Sequence, residues 1–456
     1  MDALPTYSHV AVCPSAGIGH LTPFLRLAAM ISSSNCSVTL IIIRPTLSEA
    51  ETTQINSFLS SHPHIASSEF HVLPTDPSET GITDPFFLQY DAVSRSAHLL
   101  VDHLVALSPQ PSAIFSDLMF ASGINKALSE RGIDNYNVIT TSAKFFSLMV
   151  SRLSVSFTPG EEVMIPGLSG IPADEIPPLM YNATHIMGRL TATNCRHLPD
   201  AKGVILNTFD FFEPETISAL QSGKVFSDLP PIFPIGPLHS LRSDKGSNRV
   251  SWLDEQPLKS VVFVSFGSRT AMSKEQIKEI GEGLAQSGIR FLWVIKTAVV
   301  DKEDKEELVE LLGEAFFEET KDRGLTVKEW VNQEEILSHP AIGGFVTHCG
   351  WNSVMEAAQR GLPLLAWPLH GDQRINAGVV KAVGLGIWER SWGWVGQRLV
   401  KSTEVEEKIK ELMSSDNLSN SAKRVGEEAR KAWDVNGSSS ERFNTIIETS
   451  ISKTKA

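Results

Sequence analysis

Cysteine is scarce in this chain of 456 residues: four are present, at positions 13, 36, 195 and 349, without metal-ligand spacing. That excludes a disulfide framework and a cysteine-built zinc site, and it fits a reducing compartment. Long hydrophobic runs are lacking too. The apolar stretch Val38–Ile43 is far too short to span a bilayer, and Met1–His9 carries no basic segment of the secretory type. Positive charge is in the minority, with 40 Lys and Arg against 53 Asp and Glu and a net charge of −13. There is no basic stripe, so nucleic acid is excluded as a partner. The expectation is a folded, cytoplasmic, monomeric protein with no membrane insertion, no metal and no resident cofactor.

What is present is an alternation of short β-rich runs with amphipathic helical stretches. In the first half, His9–Cys13, Val38–Ile43, Ala113–Ser116 and Tyr136–Thr140 read as strands, and Leu21–Ile31 as a helix. In the second half, Val261–Ser265, Phe291–Ile295, Gly343–Val346 and Pro363–Trp367 read as strands. Lys274–Gln286 and Asn352–Arg360 read as helices between them. Continuous Val/Ile/Leu runs separated by helices predict parallel sheets with βαβ crossovers. Two such sets predict an α/β protein of two doubly wound, Rossmann-like domains facing a cleft. The proline-rich stretch Leu229–Pro237 is a semi-rigid connection. The expected domains are therefore 1–240 and 241–437, with 438–456 a C-terminal segment.

Residues 330–373 carry the most chemical information. Trp330 follows the strand expected at Leu325–Lys328, and a nucleobase can stack on an indole, although a lone Trp is more often a core residue. The strand ending at Val346 runs into Thr347-His348-Cys349-Gly350, and a helix follows. Unpaired N–H groups of a helix's first turn bind phosphate. Gly350 allows close backbone approach, Ser353 offers a hydroxyl and His348 a ring donor. Asn352 or Ser353 as a plain N-cap is the competing reading. Glu356 lies one turn beyond Ser353 on the same face, where a carboxylate can accept from both hydroxyls of a ribose or simply complement the helix dipole. Asp372 and Gln373 sit where a sugar beyond a pyrophosphate would lie. Ser268, at the end of another strand, is a candidate further phosphate donor, and a small-residue βα turn is an equally consistent reading.

In the first half, Pro14–His20 contains Gly17-Ile18-Gly19, but the third glycine of a dinucleotide fingerprint would fall at Thr22 and the second strand ends at Arg44 without an acid. The NAD reading fails. The turn instead delivers His20, a natural general base, to the mouth of the sheet. A lone histidine there is more often structural. Asp117, at the end of another strand, is the partner that would fix its tautomer.

The stretch from Trp330 to Gln373, 44 residues long with Trp351 inside it, resembles the signature box of plant UDP-dependent glycosyltransferases that act on small molecules. The resemblance implies the two-domain GT-B fold. It assigns Trp330, Val331 and Gln333 to the uridine with Glu356, and His348, Gly350, Asn352, Ser353 and Ser268 to the diphosphate. Trp351, Asp372 and Gln373 would hold the sugar, and a terminal Gln implies UDP-glucose as donor substrate. His20 and Asp117 match the family's catalytic dyad. Leu369-His370-Gly371 departs from the family pattern just before the acid, where Ala is usual. Further segments, Gly17–Leu27, Phe266–Ala271 and Glu389–Trp394, are similar to flavonoid C-glucosyltransferases of the buckwheat type, which act on 2-hydroxyflavanones. That implies a phloroglucinol-type phenolic acceptor such as phloretin and a C-terminal segment that packs on the first domain. An acceptor pocket should be apolar, and Asp84, Phe86 and Phe145 are candidates for its wall, with ordinary core aromatics as the competing reading. O-glucosylation by the same dyad is the alternative. A non-catalytic nucleotide-sugar binder has no use for a base on the acceptor side, and an epimerase would turn over its sugar without any phenol.

Overall fold

The computed structural model describes residues 8–46, 48–76, 78, 82, 84–182, 185–241, 250–267, 272–296 and 307–452. The chain divides into two compact units, one of Met1–Ser243 with Ala432–Ala456 and one of Asp244–Lys431. The polar stretch 242–249 after the proline-rich connection lies outside the described residues.

The first unit is built on β1 (His9–Cys13), β2 (Ser37–Arg44), β3 (Ala66–His71), β4 (Ala113–Asp117), β5 (Asp134–Ile139), β6 (Gly203–Leu206) and β7 (Ile232–Pro234). They pair in parallel in the order β3-β2-β1-β4-β5-β6-β7. The strands β1 and β4 are buried at every position, as helix-covered strands must be. Phe24, Leu27 and Ile31 of the helix Ile18–Ser32 close one face against Val10, Val12 and Leu40.

The second unit holds β8 (Val261–Ser265), β9 (Arg290–Val294), β10 (Gly324–Val327), β11 (Ile342–Thr347), β12 (Leu364–Ala366) and β13 (Gly386–Trp388). Their order, β10-β9-β8-β11-β12-β13, is all parallel. Both sheets are thus doubly wound, and each reverses direction once, between β1 and β4 and between β8 and β11. Ligands of open α/β sheets bind beyond the carboxyl ends of the strands at such a reversal.

The C-terminal helix Ser438–Ser452 belongs to the first unit. Phe443, Ile446 and Ile447 enter its core, each burial being worth roughly 1.5–3 kcal/mol. The returning chain is also fastened by polar contacts. The Trp433 indole donates to the Pro237 carbonyl at 2.7 Å, Ser439 Oγ to the Gly236 carbonyl at 2.7 Å, and Arg442 to Asp210 at 2.9 Å. Among the described residues, no helix is long and apolar enough to cross a membrane.

Candidate active site

In the first unit, β1 and β4 lie side by side, with Cys13 opposite Ser116. Asp117 is the last residue of β4, and His20 the third residue of the helix after β1. The helix begins earlier than the sequence suggests, at Ile18 rather than Leu21, because Gly17 takes the N-cap position with φ 101°, a conformation that L side chains rarely adopt. The Gly17 carbonyl receives the N–H groups of His20 and Leu21 at 2.9 Å each, and its own N–H donates to the buried carboxylate of Glu51. The turn that carries His20 is therefore held from both sides.

Two residues 97 apart in sequence meet here: His20 Nδ1 lies 2.7 Å from Asp117 Oδ2. Asp117 is 1% exposed, and its Oδ1 accepts the Met119 N–H at 3.0 Å. An ionised carboxylate only accepts, so the proton of a neutral imidazole sits on Nδ1 and Nε2 presents its lone pair. Two neighbours escaped the sequence reading. Thr140 Oγ1 stands 3.2 Å from Nδ1, and the Tyr90 hydroxyl lies 2.6 Å from Nε2. Tyr90 follows Phe86 by one helical turn, and that i, i+4 aromatic spacing was the available signal.

Of the expected acceptor wall, Phe86 is half-buried with its ring centroid 6.4 Å from that of His20. Asp84 is exposed and acts as the N-cap of the helix Pro85–Val105, its Oδ1 accepting the Phe86 N–H at 2.8 Å. Phe145 is half-buried on the helix Ala143–Ser151, whose N-cap Ser142 accepts the Phe145 N–H at 3.1 Å.

In the second unit, β8 and β11 are the neighbours at the reversal, with Ser265 opposite Thr347. The loops after them interlock. A Cβ on Gly267 would fall 2.7 Å from the His348 ring, and one on Gly350 2.6 Å from it, so the imidazole fills a slot between two glycines. Gly267 also needs its φ of 79°. His348 Nδ1 is buried without a hydrogen-bond partner. Burial first, then repulsion from His370, lowers the His348 pKa to about 3, so the ring is neutral at pH 7. Burial, then the charge of Asp372, pushes the Cys349 thiol well up, leaving it unreactive.

The helix after β11 runs Trp351–Arg360, and its N-cap is Gly350 rather than Asn352 or Ser353. Glycine has no side chain to turn back on the first-turn N–H groups. Trp351, expected at the sugar, opens this helix and is 3% exposed. Gln333 Nε2 donates to Ser353 Oγ at 3.0 Å and to Glu356 Oε2 at 2.8 Å, which gathers three of the expected residues into one cluster. Trp330, by contrast, is 60% exposed, and Val331 half-buried. A bare indole is costly as core packing and well suited to stacking.

Asp372 Oδ2 accepts from Asn376 Nδ2 at 2.9 Å, and the same amide donates to the Cys349 carbonyl at 3.0 Å. Gln373 is buried and turned back on its own loop. Its Oε1 accepts the N–H groups of Leu369 and His370 at 2.8 and 3.0 Å, and its Nε2 is 3.3 Å from His370 Nδ1. The amide therefore fixes the Leu369–Asp372 loop, and a sugar would have to take its contact from Nε2. Ser268 lies outside the described residues. Among the described residues, no group of three or more His, Cys, Asp or Glu side chains is arranged to hold a metal ion.

Comparison with known proteins places this geometry in context. Residues 228–423 match the family described as UDP-glucoronosyl and UDP-glucosyl transferase. The chain is 52% identical over 443 residues to UDP-glycosyltransferase 708C1 of Fagopyrum esculentum, covering 96% of this chain and 94% of that protein. Among solved structures it resembles LpCGTa in complex with UDP, at 40% identity and a TM-score of 0.86, covering 98% of this chain and all of that one. It also resembles Medicago truncatula UGT71G1 complexed with UDP-glucose, at 30% identity and a TM-score of 0.85, covering 99% of this chain and all of that one.

Proposed function

The chain belongs to the family of UDP-glucuronosyl and UDP-glucosyl transferases and is a UDP-glycosyltransferase of GT-B fold, and from that premise we propose that it is an inverting UDP-glucose-dependent C-glucosyltransferase of 2-hydroxyflavanones and related phloroglucinol-type phenolics. The observation that carries the mechanism is the pair His20–Asp117, 2.7 Å apart and anchored on a carboxylate that is buried. C-glucosylation draws support from relatives such as LpCGTa, whose name carries CGT for C-glucosyltransferase. Glucose draws support from the UDP-glucose complex of the Medicago truncatula relative and from Gln373.

On this reading the two units divide the work. Trp330 stacks on uracil, with the Val331 backbone beside it, and the Gln333–Glu356 pair takes the ribose hydroxyls. Neutral His348, Asn352, Ser353 and the N–H groups after Gly350 hold the diphosphate as hydrogen-bond donors. Asp372 and Gln373 meet the sugar. His20 Nε2 removes the proton of a phenol hydroxyl, and Asp117 stabilises the imidazolium that forms. Electron density passes from the phenolate oxygen to the adjacent ring carbon, which attacks the anomeric carbon as its bond to the UDP oxygen breaks. The proton on that ring carbon then passes to solvent, its electron pair restores aromaticity, and the resulting phenolate recovers a proton from the His20 imidazolium. Attack through the phenolate oxygen would give the O-glucoside from the same dyad. General-base assistance of this kind is worth roughly 10²–10⁴ in rate.

The deciding experiment is incubation with UDP-glucose and phloretin, then acid hydrolysis of the product and mass spectrometry. A hexose that survives acid identifies a C–C bond and supports the proposal. A hexose released by acid makes the protein an O-glucosyltransferase.

A further inference from the structure

The proton-accepting nitrogen of His20 already has an occupant. With Nδ1–H committed to Asp117, Nε2 can only accept, so at 2.6 Å the Tyr90 hydroxyl must donate to it. Tyr90 is 2% exposed, its ring meets the His20 ring edge-on at 5.7 Å, and Phe86 packs against it at 4.4 Å. The group that fills the base's lone pair is a neutral phenol, the same functional group as the acceptor. We propose that Tyr90 is a resident stand-in for the acceptor: it caps Nε2 until an acceptor hydroxyl displaces it. This rests on the general-base reading of His20.

The cap has a second consequence. On the general-base reading, a free lone pair on Nε2 would also activate water. Water oxygen would attack the anomeric carbon, the bond to UDP would break, and His20 would take the proton, giving free glucose and UDP. Tyr90 denies Nε2 to water and yields it to a phenol, whose acidity and ring contacts let it compete. Tyr90 is thus a positioning residue that acts through His20.

The test is Tyr90→Phe, which keeps the ring and removes the hydroxyl; unchanged UDP affinity and melting temperature check that it is folded. Two readouts follow. Acceptor-free hydrolysis of UDP-glucose should rise about fivefold, the equivalent of one ordinary hydrogen bond of about 1 kcal/mol no longer opposing access. The rise should vanish in Tyr90→Phe/His20→Ala. Binding of 2,4,6-trihydroxyacetophenone to the UDP-loaded protein should tighten by the same factor, while its trimethoxy analogue, which cannot donate to Nε2, should not gain. Unchanged hydrolysis, or an equal gain for both ring compounds, overturns the proposal. So does a collapse of kcat at unchanged KM, because it would put the hydroxyl in the transition state. If His20→Ala alone leaves transfer intact, the general-base reading fails instead. If trihydroxyacetophenone is not bound, the acceptor class is wrong and the hydrolysis readout still decides on Tyr90.

Discussion

Asp117→Asn is the most informative substitution in the first unit, because the surroundings of the carboxylate dictate which way the amide must face. Oδ1 receives the Met119 N–H at 3.0 Å and Oδ2 faces His20 Nδ1 at 2.7 Å. An asparagine has one oxygen for these two positions. With the oxygen on Met119, its NH₂ points at Nδ1, and the imidazole must move its proton to Nε2. The base then has no lone pair for the acceptor. With the oxygen on Nδ1, the NH₂ meets the Met119 N–H donor to donor, at a cost of about 1–3 kcal/mol for a buried unsatisfied group. The productive arrangement is therefore reduced to roughly one part in 5 to 150, taking 1.4 kcal/mol as a factor of ten. Loss of the negative charge that stabilises the imidazolium adds to this, and a wrong-tautomer dyad in a serine protease loses about 10⁴ in kcat. The expected fall in kcat is about 10²–10⁴, with UDP affinity unchanged because the residues proposed to hold UDP lie in the other unit. Steady-state turnover of phloretin by chromatography, with calorimetry for UDP, measures both. An Asp117→Asn variant that keeps more than a third of its kcat would refute the tautomer argument.

The remaining predictions concern the second unit. Trp330→Ala should weaken UDP by about 1–3 kcal/mol of stacking while leaving the melting temperature unchanged, since the indole is 60% exposed; calorimetry and thermal melts check it. Glu356→Ala should weaken UDP by about 1.5–3 kcal/mol and 2′-deoxy-UDP by less, because only the former offers both ribose hydroxyls. His348 has a folded pKa of about 3 against an ordinary 6.5, so the unfolded chain binds its proton first as pH falls. Stability from this group is complete above pH 6.5 and declines toward pH 3, by at most about 1.4 kcal/mol per unit. Urea melts of His348→Gln should show a shallower acid decline than the parent. A chelator should leave glucosyl transfer unchanged, and a large loss would reveal a metal requirement.

Much of the fold was legible because parallel strands buried on both faces read as continuous apolar runs. Boundaries were less so. The first helix begins three residues before its apolar periodicity suggests, because a positive φ at Gly17 is invisible in sequence. The cluster Gln333–Ser353–Glu356 was legible in part, since Ser353 and Glu356 share a helical face by spacing alone, whereas Gln333 reaches them only through the sheet. Asp84, expected at the acceptor wall, also caps a helix, and Gln373, expected at the sugar, also braces its own loop. Both are local hydrogen bonds that many acids and amides make, so residue type alone could not separate the roles.

By itself the sequence determined the alternation that makes two parallel sheets, the glycine turns after their first strands, and the presence of a base, an acid and an indole at strand ends. These are local properties, set by periodicity and backbone freedom. Tertiary structure alone decided which of them meet. The β1–β4 and β8–β11 pairings bring together residues up to 103 positions apart and seat His348 between Gly267 and Gly350, while side-chain packing returns the last helix to the first core. It also decided that Tyr90 reaches Nε2, because a contact of 2.6 Å depends on how a helix packs across a strand end and not on any spacing along the chain.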